Sequence, residues 1–375
     1  MTNLLKIEAK EGIVSLEFVG PLDSEEWGDL HSFWKNYSLD SGHRGSLAVP
    51  IGEFYSKRAW FDVYWVQLGR KVEIDQSVAS ALDESDKEIK RFLELMKIGY
   101  SDPAGISSDI EDLKLLRPLT KEQQVNISSM LGAKNGANFS VPGAGKTATQ
   151  LALFGILKNL NQFERMLVVC PKSSFEAWLN EPGLVFSNPQ MASTFEGGLI
   201  HPNTEILLVN FEKLESKSRR RELVAWMSQP GGTCLVIDEA HRVKSGSRGV
   251  RWRACVELAS FAQRVDLLSG TPMPQSYEDL RNLLTLSWRG VPRSKLDDSS
   301  LSKLVPGGLF VRTTKGQLGL PEMKINRVQI KAGKYQEEIY SALTSRYKGL
   351  LGLPARDQLS LSLIHISEPT RQAEI

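Results

Sequence analysis

The sequence predicts an α/β fold, a parallel β-sheet flanked by helices, which is preceded by a small α+β domain. Short apolar runs at 166–170, 205–210, 234–238 and 265–270 alternate with helical segments. Near-continuous apolar strands separated by helices are typical of a parallel sheet covered on both faces. A glycine-rich loop between a candidate strand and a candidate helix fits the same architecture, and an alternating apolar pattern near the amino terminus predicts a hairpin.

The first 100 residues are predicted to form the small α+β domain. Apolar residues alternate at 7–9 and again at 14–18 on either side of Gly12, which predicts two paired strands. Asp23 and Glu26 have the spacing of a capping box that begins a helix. The apolar residues predicted to line three helices are Trp27, Leu30, Trp34 and Tyr37, then Phe54, Phe61, Trp65 and Leu68, then Ile89, Phe92, Leu93 and Met96 before an end at Gly99.

The aromatic residues of this domain have two interpretations. They could form a surface on which nucleic-acid bases stack, or they could fill the core between helices. Their helical spacing favours the core. No motif assigns the domain a role, and residues 1–100 are a possible surface for protein partners. Residues 101–115, which begin with Pro, Gly and Ser, are predicted to be a linker.

The composition is that of an ordinary globular protein. The 375 residues are 41% hydrophobic and 24% charged, and this length suits two or three domains. The formal net charge of +2 neither indicates nor excludes a nucleic-acid partner, because positive charge can be concentrated locally.

Cellular location is predicted from the cysteines and from the apolar runs. Cys170, Cys234 and Cys255 lie in apolar stretches, without Cys or His at metal-ligand spacing, and are predicted to be reduced thiols. No apolar run is long enough to span a bilayer, and the amino terminus lacks a signal-peptide pattern. We therefore expect a cytoplasmic protein with no membrane partner.

The carboxyl-terminal residues differ in character from the rest. Residues 361–371 read LSLIHISEPTR and are followed by QAEI, which resembles the translation of a sequencing-library adapter. We expect residues 361–375 to be non-native and the natural continuation after residue 359 to be missing. A natural tail is the alternative.

Residues 140–147, SVPGAGKT, have the pattern of a phosphate-binding loop. They follow a candidate strand at 137–139 and precede a helix predicted over 148–157, which is the context this motif requires. The glycines allow backbone N–H groups to face phosphate oxygens, the lysine neutralises the β and γ phosphates, and the threonine hydroxyl ligates Mg²⁺. A plain glycine-rich turn is the alternative, and Ser140 stands where the general pattern has Gly. The predicted ATP-binding residues here are Pro142, Gly143, Ala144, Gly145, Lys146, Thr147 and Ala148.

Asp238 and Glu239 directly follow the apolar run 234–237. An acid at the carboxyl end of a buried parallel strand lies in the crevice where such folds bind ligands. We expect Asp238 to hold Mg²⁺ through water, together with Thr147, and Glu239 to orient the attacking water as general base. A solvated strand end would explain one acid, but two adjacent acids after four apolar residues favour a site. The predicted catalytic residues are Lys146, Asp238 and Glu239.

Two further groups are predicted to couple this site to motion. His241 follows the acids closely, although a lone histidine is often structural. Ser269, Gly270 and Thr271 end the next strand, where small hydroxyl side chains could sense the γ-phosphate and hydrogen-bond towards Glu239 or His241. A plain turn is the alternative for this segment.

The order and spacing of these motifs resemble the first RecA-like lobe of superfamily 2 helicases, and specifically the Swi/Snf-type ATPases. The resemblance extends from residue 116 to about residue 343, somewhat over half of the chain. In its last segment the family has paired arginines where this chain has Arg312 and Thr313. The segments that carry it are LRPLTKEQQ (116–124), LVVCPKSSFEAWLNE (167–181), LVNFEKL (208–214), DEAHRVKSGSR (238–248), LLSGTPMPQSYEDLRNLL (267–284) and FVRTTKGQLGLPEMKINRVQI (310–330).

The resemblance implies a RecA-like ATP-binding lobe over residues 116–330 and the start of a connection to a second lobe over 331–360. It implies ATP and Mg²⁺ as cofactors, with Gln123 or Gln124 reading the adenine and His241 near the nucleotide. It also implies a motor that tracks along duplex DNA without separating the strands. The DNA-backbone contacts implied for this lobe come from Lys172, Ser173 and Asn210, and extend to Arg242 and Lys244.

The basic run 217–221 could add to the DNA-binding surface or be a solvated helix face. Two other functions stay open. A strand-separating RNA or DNA helicase shares the DEAH tetrapeptide, although the Pro-Lys-Ser…Trp segment argues against it. A nucleotide-dependent interaction module is the second, and the intact Lys146, Asp238 and Glu239 argue against it.

The second lobe of such motors supplies arginines that stabilise transition-state charge. Loss of such an arginine costs a factor of about 10³–10⁵ in rate. We therefore expect this chain by itself to bind ATP and Mg²⁺ weakly and to hydrolyse ATP hardly at all.

Overall fold

The computed structural model describes residues 4–19, 24–34, 45–61, 63, 71–246, 249–273, 276–319, 333–338 and 341. The chain up to Leu320 belongs to one compact unit. The predictions made for Asp23, Tyr37, Trp65, Leu68 and the tail at 361–375 lie outside the described residues.

A four-stranded sheet forms in the amino-terminal region. Its strands are β1 (Leu4–Lys10), β2 (Ile13–Val19), β3 (Ser46–Pro50) and β4 (Val72–Ile74), in the order β3-β2-β1-β4. The turn between β1 and β2 places Glu11 and Gly12 at φ 53° and 76°, the left-handed conformation of tight hairpin turns. The predicted hairpin is confirmed, and its alternating pattern buries one face of both strands.

Three helices accompany this sheet: α1 (Ser24–Trp34), α2 (Ile51–Phe61) and α3 (Gln76–Leu95). The aromatic side chains of Trp34, Phe54, Phe61 and Phe92 are at most 2% exposed, so they fill a core and do not present a base-stacking surface. The interpretation favoured by their helical spacing is therefore confirmed.

Helix α3 ends before the predicted Gly99. Its last residue is Leu95, and Met96 caps it. The carbonyl of Ile98 accepts a hydrogen bond from the N–H of Gly308 at 2.9 Å, so a segment from the far end of the unit packs where the helix would continue. This tertiary contact could not be read from the local pattern.

Helix α3 also packs against the second half of the unit. The Phe92 ring meets Trp288 edge to face, with centroids 5.4 Å apart. The hydroxyl of Ser85 donates to the carbonyl oxygen of Gly290 at 2.5 Å. The amino-terminal region is thus joined to the larger sheet by a shared core.

Residues 101–115, predicted as a linker, are instead folded. Pro103–Ile106 form a 3-10 turn capped by Asp102, and α4 (Ser107–Asp112) follows. Ile106 and Leu113 are buried in the same core as the helix at Lys146–Asn159. The prediction failed because proline is also favoured in the first turn of a helix, where Pro103 stands after its cap Asp102.

The second sheet has six parallel strands and confirms the predicted α/β fold. The strands are β5 (Gly136–Asn138), β6 (Arg165–Val169), β7 (Ala192–Thr194), β8 (Ile206–Val209), β9 (Thr233–Asp238) and β10 (Arg264–Leu268), in the order β5-β10-β9-β6-β8-β7. Each of the four apolar runs forms one of these strands. The accompanying helices are α5 (Lys121–Leu131), α6 (Lys146–Asn159), α7 (Phe175–Val185), α8 (Lys217–Met227), α9 (Val250–Ala259), α10 (Tyr277–Ser287) and α11 (Asp298–Ser302). Apolar clusters lie on both faces of the sheet.

A buried ion pair lies at the amino end of β10. Arg264 donates through Nε to both carboxylate oxygens of Asp266 at 2.9 Å, and through its other nitrogens to two backbone carbonyls. The carboxylate of Asp266 also accepts from the N–H of Gly136 and from Nε2 of Gln150. These residues, Arg264, Asp266, Gly136 and Gln150, are the amino-end cluster. It joins β5, β10 and α6, the three elements nearest the glycine-rich loop.

The described residues contain neither a candidate membrane span nor a metal-binding cluster. None of their helices combines the length and apolar character that a membrane span requires. Nor do they contain three or more His, Cys, Asp or Glu side chains grouped so as to hold a metal ion by themselves.

Candidate functional site

The glycine-rich loop joins the end of β5 to the start of α6. Gly143 and Gly145 have φ of 83° and 73°, a conformation that other residues rarely adopt. A Cβ added at Gly145 would lie 2.3 Å from Nε2 of Gln123. The backbone conformation therefore favours glycine at 145, and a side chain there would also displace the Gln123 amide from the loop. Lys146 is the first residue of α6.

Lys146 lies across the loop. Its Nζ donates to the carbonyl oxygens of Ser140 at 3.1 Å and Val141 at 3.4 Å. Burial lowers the pKa of Lys146, while the nearby carboxylates of Glu239 and Asp238 oppose that shift. The loop lysine and the two acids at the end of β9 therefore interact electrostatically.

The other residues predicted to contact ATP surround the amino end of α6. Pro142 and Gly143 are exposed, Ala144 and Thr147 are half-buried, and Ala148 is buried. This gradient leaves the turn open to solvent and anchors the helix behind it in the core.

The two candidate glutamines face different partners. Gln123 completes a capping box with Thr120 at the start of α5, and its Nε2 lies 3.5 Å from the carbonyl oxygen of Gly145. Gln124 donates to the carbonyl oxygen of Leu119 at 3.0 Å. Gln123 is thus the glutamine beside the loop.

Asp238 ends β9 and is 9% exposed. Its Oδ2 accepts from the indole Nε1 of Trp178 at 3.0 Å, and its Oδ1 accepts from the backbone N–H of Glu239 at 2.9 Å. Burial raises the pKa of Asp238, and the Trp178 hydrogen bond opposes that shift. The sequence noted Trp178 only as part of a motif, and the structure adds it to the site.

A chain of polar contacts leads from Glu239 to the end of β10. Glu239 has φ of 52°, an uncommon left-handed conformation for a residue with a side chain. Its Oε2 lies 3.2 Å from Nδ1 of His241, and this contact holds the pKa of Glu239 below its usual range. Nδ1 of His241 in turn lies 3.3 Å from Oγ of Ser269. The predicted contact between the serine turn and His241 is therefore present.

The same turn touches the glycine-rich loop. A Cβ added at Gly270 would lie 2.9 Å from Cδ of Pro142. Oγ of Ser269 accepts from the N–H of Thr271 at 3.2 Å, and the N–H of Ser269 donates to the carbonyl oxygen of Asn138. This arrangement follows from the sheet order, because β10 lies between β5 and β9. Three loops that are distant in sequence therefore meet at one edge of the sheet.

A fourth segment runs beside the loop. Val311 exchanges backbone hydrogen bonds with β5, and Thr313 accepts from the N–H of Val141 at 3.1 Å. The N–H of Thr313 donates to Oγ of Ser140 at 2.8 Å, and Oγ1 of Thr313 accepts from Nδ2 of Asn126. Residues 311–313 are the exit segment. Ser140, where the general loop pattern has glycine, thus contacts Thr313, where the family has its second arginine, and both are buried.

The residues predicted to contact nucleic acid do not share one environment. Lys172 and Ser173 are exposed on the 3-10 turn between β6 and α7, and Arg242 is also exposed. Lys244 is partly buried, with Nζ 3.7 Å from Oδ2 of Asp279.

Two parts of the predicted nucleic-acid surface make contacts inside the protein instead. Asn210 is 1% exposed and its Oδ1 accepts from the N–H of Lys213, so its side chain caps a turn and does not face solvent. In the basic run 217–221, Arg220 is buried and donates to Glu257 at 2.6 Å. Sequence spacing alone did not reveal either contact.

Comparison with protein families matches one domain. The model of the SNF2-related domain matches residues 133–291, a stretch that contains the glycine-rich loop, both acids and the Ser269 turn. This confirms the Swi/Snf-type resemblance that the motifs indicated.

Two curated relatives match part of the chain. Protein CHROMATIN REMODELING 19 of Arabidopsis thaliana is 26% identical over 241 residues, which cover 55% of this chain and 31% of that protein. Chromodomain-helicase-DNA-binding protein 8 of Danio rerio is 25% identical over 162 residues, which cover 38% of this chain and 6% of that protein. The match thus spans less than a third of the length of either relative.

Among solved structures, the chain is similar to the Sulfolobus solfataricus SWI2/SNF2 ATPase core in complex with dsDNA. The TM-score is 0.46 at 20% identity, over 71% of this chain and 59% of that one. The UvsW helicase from bacteriophage T4 gives a TM-score of 0.37 at 13% identity, over 84% of this chain and all (100%) of that one.

Proposed function

We propose that this chain, a Swi/Snf-type ATPase by its SNF2-related domain, binds ATP with Mg²⁺ and forms the ATP-hydrolysing part of a motor on duplex DNA. The observation that carries the proposal is the convergence of Lys146, Asp238, Glu239 and the Ser269 turn at one edge of the sheet. A lysine in a glycine-rich loop facing two acids is the arrangement by which such folds hold a nucleoside triphosphate and its metal.

The residues present fit this cofactor pair. Positive φ at Gly143 and Gly145 supports a loop whose N–H groups face inward at the amino end of α6, where the helix dipole favours phosphate. Mg²⁺ is usually held by one or two protein oxygens, with phosphate and water completing its shell. Thr147 and Asp238 would be those protein ligands, and Mg²⁺ when bound would neutralise charge on the β and γ phosphates.

Glu239 is suited to orient the attacking water. Its pKa is held low by His241, so it is ionised at neutral pH and can accept a proton or a hydrogen bond from water. The left-handed conformation of Glu239 turns its side chain away from the path of β9 and next to His241. Glu239 contacts His241, and His241 contacts Ser269, whose turn lies against Pro142. A movement of that turn would therefore reach the base through these contacts.

The DNA contacts are proposed for the exposed side of the lobe. Lys172 and Ser173 on the turn before α7, together with Arg242, are exposed and can reach a phosphate backbone. Such contacts give salt-sensitive binding that does not depend on base sequence.

Nucleotide binding by the chain tests the proposal. We expect Lys146→Ala to weaken the binding of ATP with Mg²⁺ by about tenfold to a hundredfold, because a charged hydrogen bond contributes about 1.5–3 kcal/mol. Isothermal titration with a slowly hydrolysed ATP analogue measures this. Lys172→Ala is the matched control, because it removes an exposed lysine far from the loop in sequence.

The control also tests the DNA part. We expect Lys172→Ala to keep nucleotide affinity and to reduce the slope of log affinity for duplex DNA against log salt concentration by about 1. Equal nucleotide binding by the wild type and Lys146→Ala would refute the ATP site. An unchanged salt slope in Lys172→Ala would refute the DNA contact alone.

A further inference from the structure

The indole of Trp178 has an unusual partner for a core residue. Trp178 lies on α7, is 0% exposed, and directs Nε1 at Oδ2 of Asp238 at 3.0 Å. A buried indole N–H normally finds a hydrogen-bond acceptor. In this chain burial alone does not enforce one, because Nε1 of the equally buried Trp34 has no partner among the described residues. The direction of the Trp178 indole is therefore a specific feature of the site.

The hydrogen bond fixes the rotation of the Asp238 carboxylate. Oδ1 accepts from the N–H of Glu239 and Oδ2 accepts from Trp178, so one donor holds each oxygen in place. Each carboxylate oxygen has a second lone-pair position. The carboxylate therefore keeps acceptor capacity for a water or a metal ion while its plane is held.

The chemical nature of the donor matters as much as its position. An ammonium or guanidinium at this distance would neutralise Asp238 and compete with a cation. The indole is uncharged and has no acceptor of its own, so it orders the oxygen while the carboxylate keeps its full charge. Lys146 directs its Nζ at the carbonyl oxygens of Ser140 and Val141.

We propose that Trp178 is a positioning residue that holds Asp238 in the orientation needed to bind the Mg²⁺ of the nucleotide complex. This rests on the proposed function, because it concerns how the same site holds its metal. Trp178 does not contact substrate in this proposal and acts only through Asp238. It predicts that the indole N–H contributes to the metal-dependent part of nucleotide affinity and not to the rest.

Trp178→Phe tests this, because phenylalanine keeps an aromatic ring in the core and removes the donor. ATP affinity is measured for the complete chain with Mg²⁺ and again with EDTA. In the wild type we expect Mg²⁺ to tighten binding. In Trp178→Phe we expect this Mg²⁺-dependent gain to shrink about tenfold, with the affinity in EDTA unchanged.

A double-mutant cycle with Asp238→Asn provides the control. If the indole acts through the carboxylate, Trp178→Phe will cause no further loss of the Mg²⁺-dependent gain in the Asp238→Asn background. A purely structural role would lower affinity equally with and without Mg²⁺, and would do so in both backgrounds. That result would overturn the inference.

A second measurement covers the case in which Trp178→Phe does not fold. In the wild-type chain labelled with ¹⁵N-tryptophan, we expect one indole N–H resonance to shift both in Asp238→Asn and when Mg²⁺ is added to the ADP complex. If no resonance responds to both changes, the inference is wrong. If the wild type binds neither ATP nor ADP, the proposed function itself fails. Mg²⁺-dependent binding that is identical in wild type and Trp178→Phe refutes the inference alone.

Discussion

The two ends of the central sheet carry buried charges in contrasting states. At the amino end, Arg264 and Asp266 pair with each other and with neighbouring backbone groups, and their side chains are 5% and 0% exposed. At the carboxyl end, Asp238 and Glu239 lie near Lys146, yet the lysine hydrogen-bonds carbonyl oxygens and the acids accept from an indole, a backbone N–H and a histidine. The ion pair stands on β10, and the two acids lie at the end of its neighbour β9.

The difference lies in how each charge is balanced. In the amino-end cluster, opposite charges meet directly, so the cluster is complete without a ligand. At the carboxyl end, the acids have neutral or partial donors and keep negative charge that a cation could balance. Burial raises the pKa of Asp238, which reflects the free energy needed to keep that charge partly desolvated. A charge kept in this state favours binding over stability.

The largest expected effect on stability comes from breaking the Arg264–Asp266 ion pair at the amino end of the sheet. Asp266→Ala leaves the Arg264 guanidinium buried without its counter-ion, and removing one partner of such a pair costs about 3–5 kcal/mol. We therefore expect a fall of that size in the free energy of unfolding, measured by urea denaturation. Glu94→Ala, which removes an exposed pair with Arg91 at 3.2 Å, should change it by at most about 1 kcal/mol. Equal effects of the two variants would contradict this account.

A smaller effect is expected from breaking the buried hydrogen bond between Ser140 and Thr313 at the carboxyl end of the sheet. Ser140→Ala removes the acceptor for the buried N–H of Thr313, and an unsatisfied buried donor costs about 1–3 kcal/mol. Thermal or urea denaturation measures the loss. Ser80→Ala, at an exposed helix position, is the matched control and should stay within about 0.5 kcal/mol of wild type. An undiminished stability in Ser140→Ala would show that this contact is not part of the fold's support.

The smallest expected effect on stability concerns Asp238 at the carboxyl end of the sheet, and it depends on pH. Because the folded state raises the pKa of Asp238 above its ordinary value of 3.8, its protonated form favours the folded state, and this stability is lost as pH rises through the raised pKa. Relative to Asp238→Asn in EDTA, wild-type stability should therefore fall with rising pH, by at most about 1.4 kcal/mol per pH unit.

Glu239 should show the opposite sign. Its folded-state pKa lies below the ordinary value of 4.5, so its contribution is present above that pH and is lost as pH falls through the lowered pKa. Urea midpoints of wild type and Glu239→Gln across the acidic range measure this contribution. Parallel pH profiles for Asp238→Asn and Glu239→Gln would contradict the contrast between the two acids.

The sequence predicted the central sheet and named the candidate site residues. It did not predict the contacts that hold those residues in place. Apolar runs identify β6, β8, β9 and β10, because a strand buried on both faces has little choice of composition. The short strands β4 and β7, of three residues each, lie at sheet edges with partly exposed side chains and have no such pattern. The glycine-rich loop and the acids can be recognised by residue type, because phosphate and Mg²⁺ are bound by glycine N–H groups, lysine and carboxylates.

The contacts that hold the site residues could not be predicted from the sequence, because they join residues that are far apart along the chain. Trp178 lies 60 positions from Asp238, and Ser140 lies 173 positions from Thr313. Asn210 is of a residue type that can contact DNA, but its side chain accepts a hydrogen bond from the N–H of Lys213 in the local turn. Only the order of the strands brings such pairs together, and local pattern does not encode that order.

The exit segment has a mechanical consequence. Residues 311–313 are bonded to the backbone of β5 and to the first residues of the glycine-rich loop. Thr313 is therefore anchored directly to the loop that is proposed to hold the triphosphate. A displacement of that loop would act on Thr313 through its hydrogen bonds with Ser140 and Val141, at the point where this segment also joins the edge of the sheet.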